Sequence, residues 1–134
     1  MITKGIIWYA PGHRDRARDQ LNDIIQKYKM IGIELSQVKN NNSTCIFDNG
    51  DMWRIASADD SGRGLRGTVH YIDRSISMYN LDNIIMPTMT AMIFSSYKFY
   101  GEGDLHITDG KPILMPTECV FKIDQYADLP FGGK

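Results

Sequence analysis

Cysteine is scarce in this sequence: only Cys45 and Cys119, each inside an apolar strand-like run, with no Cys-x-x-Cys spacing and no histidine close by. That favours buried free thiols in a reducing compartment over a disulfide or a metal role. Long apolar runs are missing too. None approaches the ~20 residues that cross a bilayer, and the N-terminus enters a short strand instead of a signal-peptide core. Neither charge sign dominates, with 15 basic against 16 acidic residues and a pI near 6.3. Wrapping nucleic acid or an anionic membrane has no bulk electrostatic basis, so any DNA contact is expected to be local. There is no repeat, heptad, low-complexity tract or dividing linker. No Gly-x-x-x-x-Gly-Lys-Ser/Thr phosphate loop occurs, and Asp59-Asp60, Asp104 and Asp109 lack the Asp-x-Asp-x-Asp spacing of a calcium loop.

What remains is 134 residues, 43% hydrophobic, enough for one compact domain with a core. Ile6-Ile7-Trp8-Tyr9-Ala10, closed by Pro11-Gly12, reads as a buried strand. From Asp15 to Ile31, Ala17, Leu21, Ile24, Ile25 and Tyr28 share one helical face, and Gly32 is the expected C-cap. After polar Asn40-Asn41-Asn42-Ser43, the runs Thr44 to Phe47 and Met52 to Ile55 flank Asn49-Gly50, predicting a hairpin with a type I′ turn. Ala56 to Gly67 is a loop and Thr68 to Ile72 a strand with Asp73 at its carboxyl end. A short helix is predicted from Met78 to about Met86, stopped by Pro87, then a strand over Thr90 to Ser96. The tail, from Asp104 to Ile123, looks β-rich. Strand, helix, strand, helix favours an α/β sheet with helices on its faces. Ligands of such sheets gather at the carboxyl ends of strands, where Pro11-Gly12, the Gly-Arg loop and Asp73 should converge.

Several features have ordinary structural readings. Asp73 suits the N-cap of a following helix. Arg63, Arg66 and the arginines of His13-Arg14-Asp15-Arg16-Ala17-Arg18 suit solvated surfaces, although guanidinium forks between glycines also suit oxyanions or a DNA backbone. Trp8 and Trp53, inside apolar strands, are expected in the core. His106-Ile107-Thr108 has half of a two-histidine phosphoesterase pattern, but His70-Tyr71-Ile72 lacks the hydroxyl that would complete it.

Taken together, an apolar strand with Ala-Pro-Gly, a helix, Phe47-Asp48-Asn49-Gly50, Ala56-Ser57-Ala58-Asp59-Asp60, Arg63-Gly64 and Tyr71-Ile72-Asp73 resembles the ATPase domain of tailed-bacteriophage terminase large subunits, which pump viral DNA into capsids. The resemblance covers roughly residues 5–97, leaving 98–134 as a β-rich extension. It implies a P-loop-NTPase-like sheet in a phage-encoded protein of the host cytoplasm. It also implies that Asp73 is the Walker B carboxylate ordering the Mg²⁺ of ATP, and that Arg63 stabilises charge on the transferring phosphoryl group. Arg66, Gly64 and Gly67 would complete a phosphate-binding segment, and Ser95-Ser96 would match a coupling motif.

The sequence departs from that pattern in two places. The phosphate loop belongs upstream of Ile6, where five residues stand, and the carboxylate expected after Asp73 is Arg74, which accepts no proton. The sheet is therefore expected to lack the phosphate-loop strand beside the Asp73 strand, leaving a gap for another chain or the tail to fill. Mg²⁺ and ATP belong only to a completed site. The expected function is a packaging-ATPase relative unable to hydrolyse ATP alone, either one piece of a split motor or a degenerate form. Its partners would be a chain bearing the phosphate loop, another copy, or viral DNA. The alternative is a non-catalytic binding or regulatory module, such as an anti-defence protein that takes a protein or nucleotide-like ligand.

Overall fold

The computed structural model describes residues 2–39, 43–90 and 95–101. Its centre is a six-stranded mixed sheet in the order β2-β3-β4-β1-β5-β6. The strands are β1 (Lys4–Tyr9), β2 (Leu35–Lys39), β3 (Thr44–Phe47), β4 (Met52–Ser57), β5 (Val69–Asp73) and β6 (Ser96–Tyr100). β1 pairs in parallel with β4 on one side and β5 on the other, and β5 pairs in parallel with β6. The hairpin β2-β3-β4 adds the antiparallel part.

The side-chain period of two along β1 sorts the core into two layers. Ile7 joins Trp53, Ile55, Val69 and Tyr71 on the face covered by helix α1 (Arg14–Met30), whose Ala17, Leu21, Ile24 and Tyr28 are buried there. Ile6 and Trp8 join Ala56 and Ile72 on the opposite face, beneath Leu81, Ile84, Ile85 and Met89. Both tryptophans are fully buried, as expected from their apolar runs. α1 ends as predicted at Gly32. Ile33 N–H donates to the Tyr28 carbonyl and Gly32 N–H to that of Lys29, the paired bonds of a Schellman cap.

Three local expectations need correction, and one strand has no counterpart among them. The hairpin loop has three residues, not two: Gly50 N–H donates to the Phe47 carbonyl and Phe47 N–H to that of Asp51. Gly50, at φ 95°, supplies the left-handed residue of that longer loop, so the type I′ turn is not formed. Leu35–Lys39, for which the sequence predicts no element, is strand β2, exposed along its whole length, so no burial pattern marks it. Pro87 does not end the second helical region. α2 (Met78–Asn80), a π-helical turn (Leu81–Ile85) and α3 (Met86–Thr90) run on through it. Within the turn, Met86 N–H reaches back five residues to the Leu81 carbonyl, and this wider spacing accommodates a residue that cannot continue the four-residue ladder. Finally, Thr90 belongs to α3, and the last described strand begins at Ser96.

The sheet also lacks the expected internal gap. The place beside the Asp73 strand is taken by β1 itself, and β6 occupies the other side. The β-rich tail and the His106-Ile107-Thr108 segment lie outside the described residues.

Candidate functional site

All four parallel strands end on the same rim of the sheet, and the loops leaving β1, β4 and β5 carry the residues singled out from the sequence. Asp73 is the last residue of β5 and shares the α1 face with Tyr71, two positions earlier. Its side chain is completely buried. Oδ1 accepts from Arg16 Nη1 at 3.3 Å and from Ser75 N–H at 3.0 Å. Oδ2 and the Ser75 hydroxyl, both buried, have no hydrogen-bond partner among the described residues. Gly101 closes over the carboxylate: a Cβ there would lie 2.8 Å from Oδ1. The neighbouring Tyr100 hydroxyl donates to the Trp8 carbonyl at 2.7 Å. Its pKa is pushed up by burial first and by the Asp73 charge second.

An unsatisfied buried carboxylate oxygen is a group that a cation could complement, so fitness for Mg²⁺ can be judged from the donors. Mg²⁺ keeps several of its waters and binds through one or two carboxylates together with phosphates. Asp73 offers one carboxylate with no exposed surface and a guanidinium already at 3.3 Å. Among the described residues no cluster of three His, Cys, Asp or Glu side chains gathers here or elsewhere. This donor set does not fit a resident Mg²⁺.

Arg63 lies on the other side of the sheet. It follows a 3₁₀ turn (Asp60–Gly62) whose Asp59 side chain accepts from Ser61 N–H. Arg63 Nε donates to Asp60 Oδ1 at 2.9 Å, and Nη1 donates to the Asn83 carbonyl at 3.0 Å. In an α-helix that carbonyl would be bonded four residues on, by Pro87, which has no N–H. Arg63 thus supplies the donor that Pro87 lacks. The guanidinium is held against the helical run of one face while the Asp73 carboxylate faces α1 on the other, so the expected convergence of the two does not occur.

The glycines of this loop divide by role. Gly62 and Gly67 are buried where the loop crosses β1. A Cβ at Gly62 would lie 2.5 Å from the Trp8 ring and 2.6 Å from the Ser57 carbonyl oxygen, and one at Gly67 would lie 2.9 Å from Ile6. These two are glycine because the loop presses on the strand. Gly67 also accepts at its carbonyl from His70 Nε2. Gly64 has φ 81° with open space around it, which marks a turn. Arg66 is exposed.

A second arrangement on the same rim was not apparent from the sequence. A cleft of about 280 Å³ opens at the carboxyl ends of β1 and β4, lined by Tyr9, Arg14, Arg54, Ser57, Ser61 and Leu65, with Ser43, Ile55 and Ala56 completing the wall. Among the described residues, neither Arg14 nor Arg54 has a hydrogen-bond or ion-pair partner. Ser57 Oγ donates to Asp59 Oδ2 at 2.8 Å and Ser61 Oγ to Asp59 Oδ1 at 2.5 Å. These bonds, that from Ser61 foremost, hold the Asp59 carboxyl below its usual range. Arg14 was visible among the basic residues of the α1 start. Arg54 and the serines had no spacing signal, because strand pairing and the loop bring them together.

Compared with protein-family models, curated proteins and solved structures, this chain matches none.

Proposed function

We propose that this chain is a relative of the terminase large-subunit ATPase domain that keeps the strand and loop framework without hydrolysing ATP, and that it acts as a phage-encoded, non-catalytic binding module. The observation that carries this reading is the state of Asp73, fully buried, engaged by Arg16 and followed by Arg74. Water activation in such sites needs an accessible metal-ordering carboxylate and a neighbouring proton acceptor. Arg74 accepts no proton, and Asp73 already has the Arg16 guanidinium beside it. Arg63, bonded to Asn83, serves the fold in place of a phosphoryl group. The split-motor alternative draws less support, since β5 has a strand on both sides and needs none from a partner.

The test is phosphate release from ATP with excess Mg²⁺, comparing the wild-type chain with Asp73→Asn. The expected result is no release above background from either. Turnover by the wild type that is lost in Asp73→Asn would overturn the reading. Turnover that appears only on adding a second phage chain bearing a phosphate loop would establish the split motor instead.

A further inference from the structure

We propose that the cleft between the carboxyl ends of β1 and β4 binds a sugar phosphate no larger than a mononucleotide, with Arg14 and Arg54 on the phosphate and the Ser57 and Ser61 oxygens accepting from sugar hydroxyls. The proposal concerns ligand binding and does not depend on kinship with packaging motors.

Three observations lead there. First, Arg14 and Arg54 line one concavity, and among the described residues neither has a counter-charge. Guanidinium groups are planar, permanently charged donors suited to phosphate oxygens. Two of them left unpaired on a chain of net charge −1 favour an anionic occupant. Second, the Ser57 and Ser61 hydroxyl protons are already committed to Asp59. The oxygens they present can therefore only accept, which selects a ligand carrying its own donors. Inorganic phosphate as the dianion has a single P–OH to offer two serine oxygens and would meet the nearby Asp59 charge; a sugar brings several hydroxyl donors. Third, about 280 Å³ is at the small end of ligand pockets, roughly 300–1,000 Å³. That volume suits a pentose phosphate or mononucleotide and is too small for a duplex. Leu65, Ile55 and Ala56 add an apolar wall.

Isothermal titration calorimetry with AMP, ribose 5-phosphate and inorganic phosphate separates the sources of this chemistry. AMP or ribose 5-phosphate should bind at least about tenfold more tightly than inorganic phosphate. Arg14→Ala and Arg54→Ala should each weaken that binding by about tenfold or more, the scale of one charge-assisted hydrogen bond. Lys29→Ala, which removes the same charge at the far end of α1, should leave it unchanged. Circular dichroism of each variant confirms that the surface change leaves the fold intact. The proposal is overturned if none of the three compounds binds, if inorganic phosphate binds as well as the sugar phosphates, or if Lys29→Ala weakens binding as much as the cleft variants. ATP turnover is read in a separate assay, so failure here and failure of the non-catalytic reading are distinguishable.

Discussion

Trp8 Nε1 donates to His70 Nδ1 at 3.0 Å, from one central strand to the next, with the two rings inclined by only 9°. His70 is completely buried and holds its remaining proton on Nε2, directed at the Gly67 carbonyl 3.2 Å away. Accepting from Trp8 requires Nδ1 to be unprotonated, so the ring is neutral.

The pH dependence follows from that neutrality. Burial lowers the His70 pKa to about 4, opposed in part by the Gly67 bond, while the unfolded chain titrates near the ordinary value of about 6.5. The unfolded state therefore takes up its proton first as pH falls. The contribution to stability is fully present above about pH 6.5 and is lost progressively toward pH 4. Between about pH 7 and pH 5 the loss should be roughly 2 kcal/mol. Urea denaturation across this range should show it, and His70→Gln should remove that part of the slope. Parallel profiles for the two proteins would refute the assignment.

Tyr28 couples α1 to the hairpin. Its hydroxyl donates to Asp51 Oδ2 at 2.6 Å and accepts from Trp53 Nε1 at 3.0 Å. Asp51 Oδ1 in turn accepts from Thr3 N–H. Tyr28→Phe keeps the ring stacked on Phe47 but strands a buried indole N–H. A loss of about 1–3 kcal/mol is expected by chemical denaturation, and a loss near zero would show that the network is not formed.

Arg63 and Pro87 should be energetically linked through the Asn83 carbonyl. Arg63→Ala should cost about 1 kcal/mol when Pro87 is present. In a Pro87→Ala background, a backbone N–H becomes available to the same carbonyl and the cost should shrink. A double-mutant cycle measures the difference, and strict additivity would remove Arg63 from this role.

Arg16 and Asp73 are paired unequally, one side chain 39% exposed and the other wholly enclosed. Arg16→Ala leaves a buried carboxylate without its counter-charge, whereas Asp73→Asn leaves a guanidinium that can turn to solvent. The first should destabilise by about 1.5–3 kcal/mol and by more than the second. Thermal unfolding of both variants checks the order, and a reversed order would argue that the pair is not formed.

Much of this architecture was legible because burial leaves periodic traces. α1 showed its apolar face, β1 and β5 read as short apolar runs, and Asn49-Gly50 marked the hairpin. β2 left no trace, since every one of its residues is exposed and its place is fixed by pairing with β3. The helical run through Pro87 is not legible in the sequence because the proline rule is local, while the compensating guanidinium comes from 24 residues earlier. The same limit applied to the site. Arg63 and Asp73 lie ten residues apart, and only the assembled fold shows that Asp73, ending β5, faces α1 while Arg63, in the loop before that strand, is tied to Asn83 in the other layer. Arg14 and Arg54, by contrast, come to line one cleft only once the sheet has assembled.

The central position of β1 also bears on how the chain matures. Ile6, Ile7 and Trp8 are made before either strand they pair with, since β4 begins at Met52 and β5 at Val69. Until the ribosome has delivered both, this sticky hexapeptide has two open flanks, available to neighbouring nascent chains as readily as to its own. Chaperone demand and inclusion-body formation during expression should therefore respond to the waiting time of this strand between its own synthesis and that of β5.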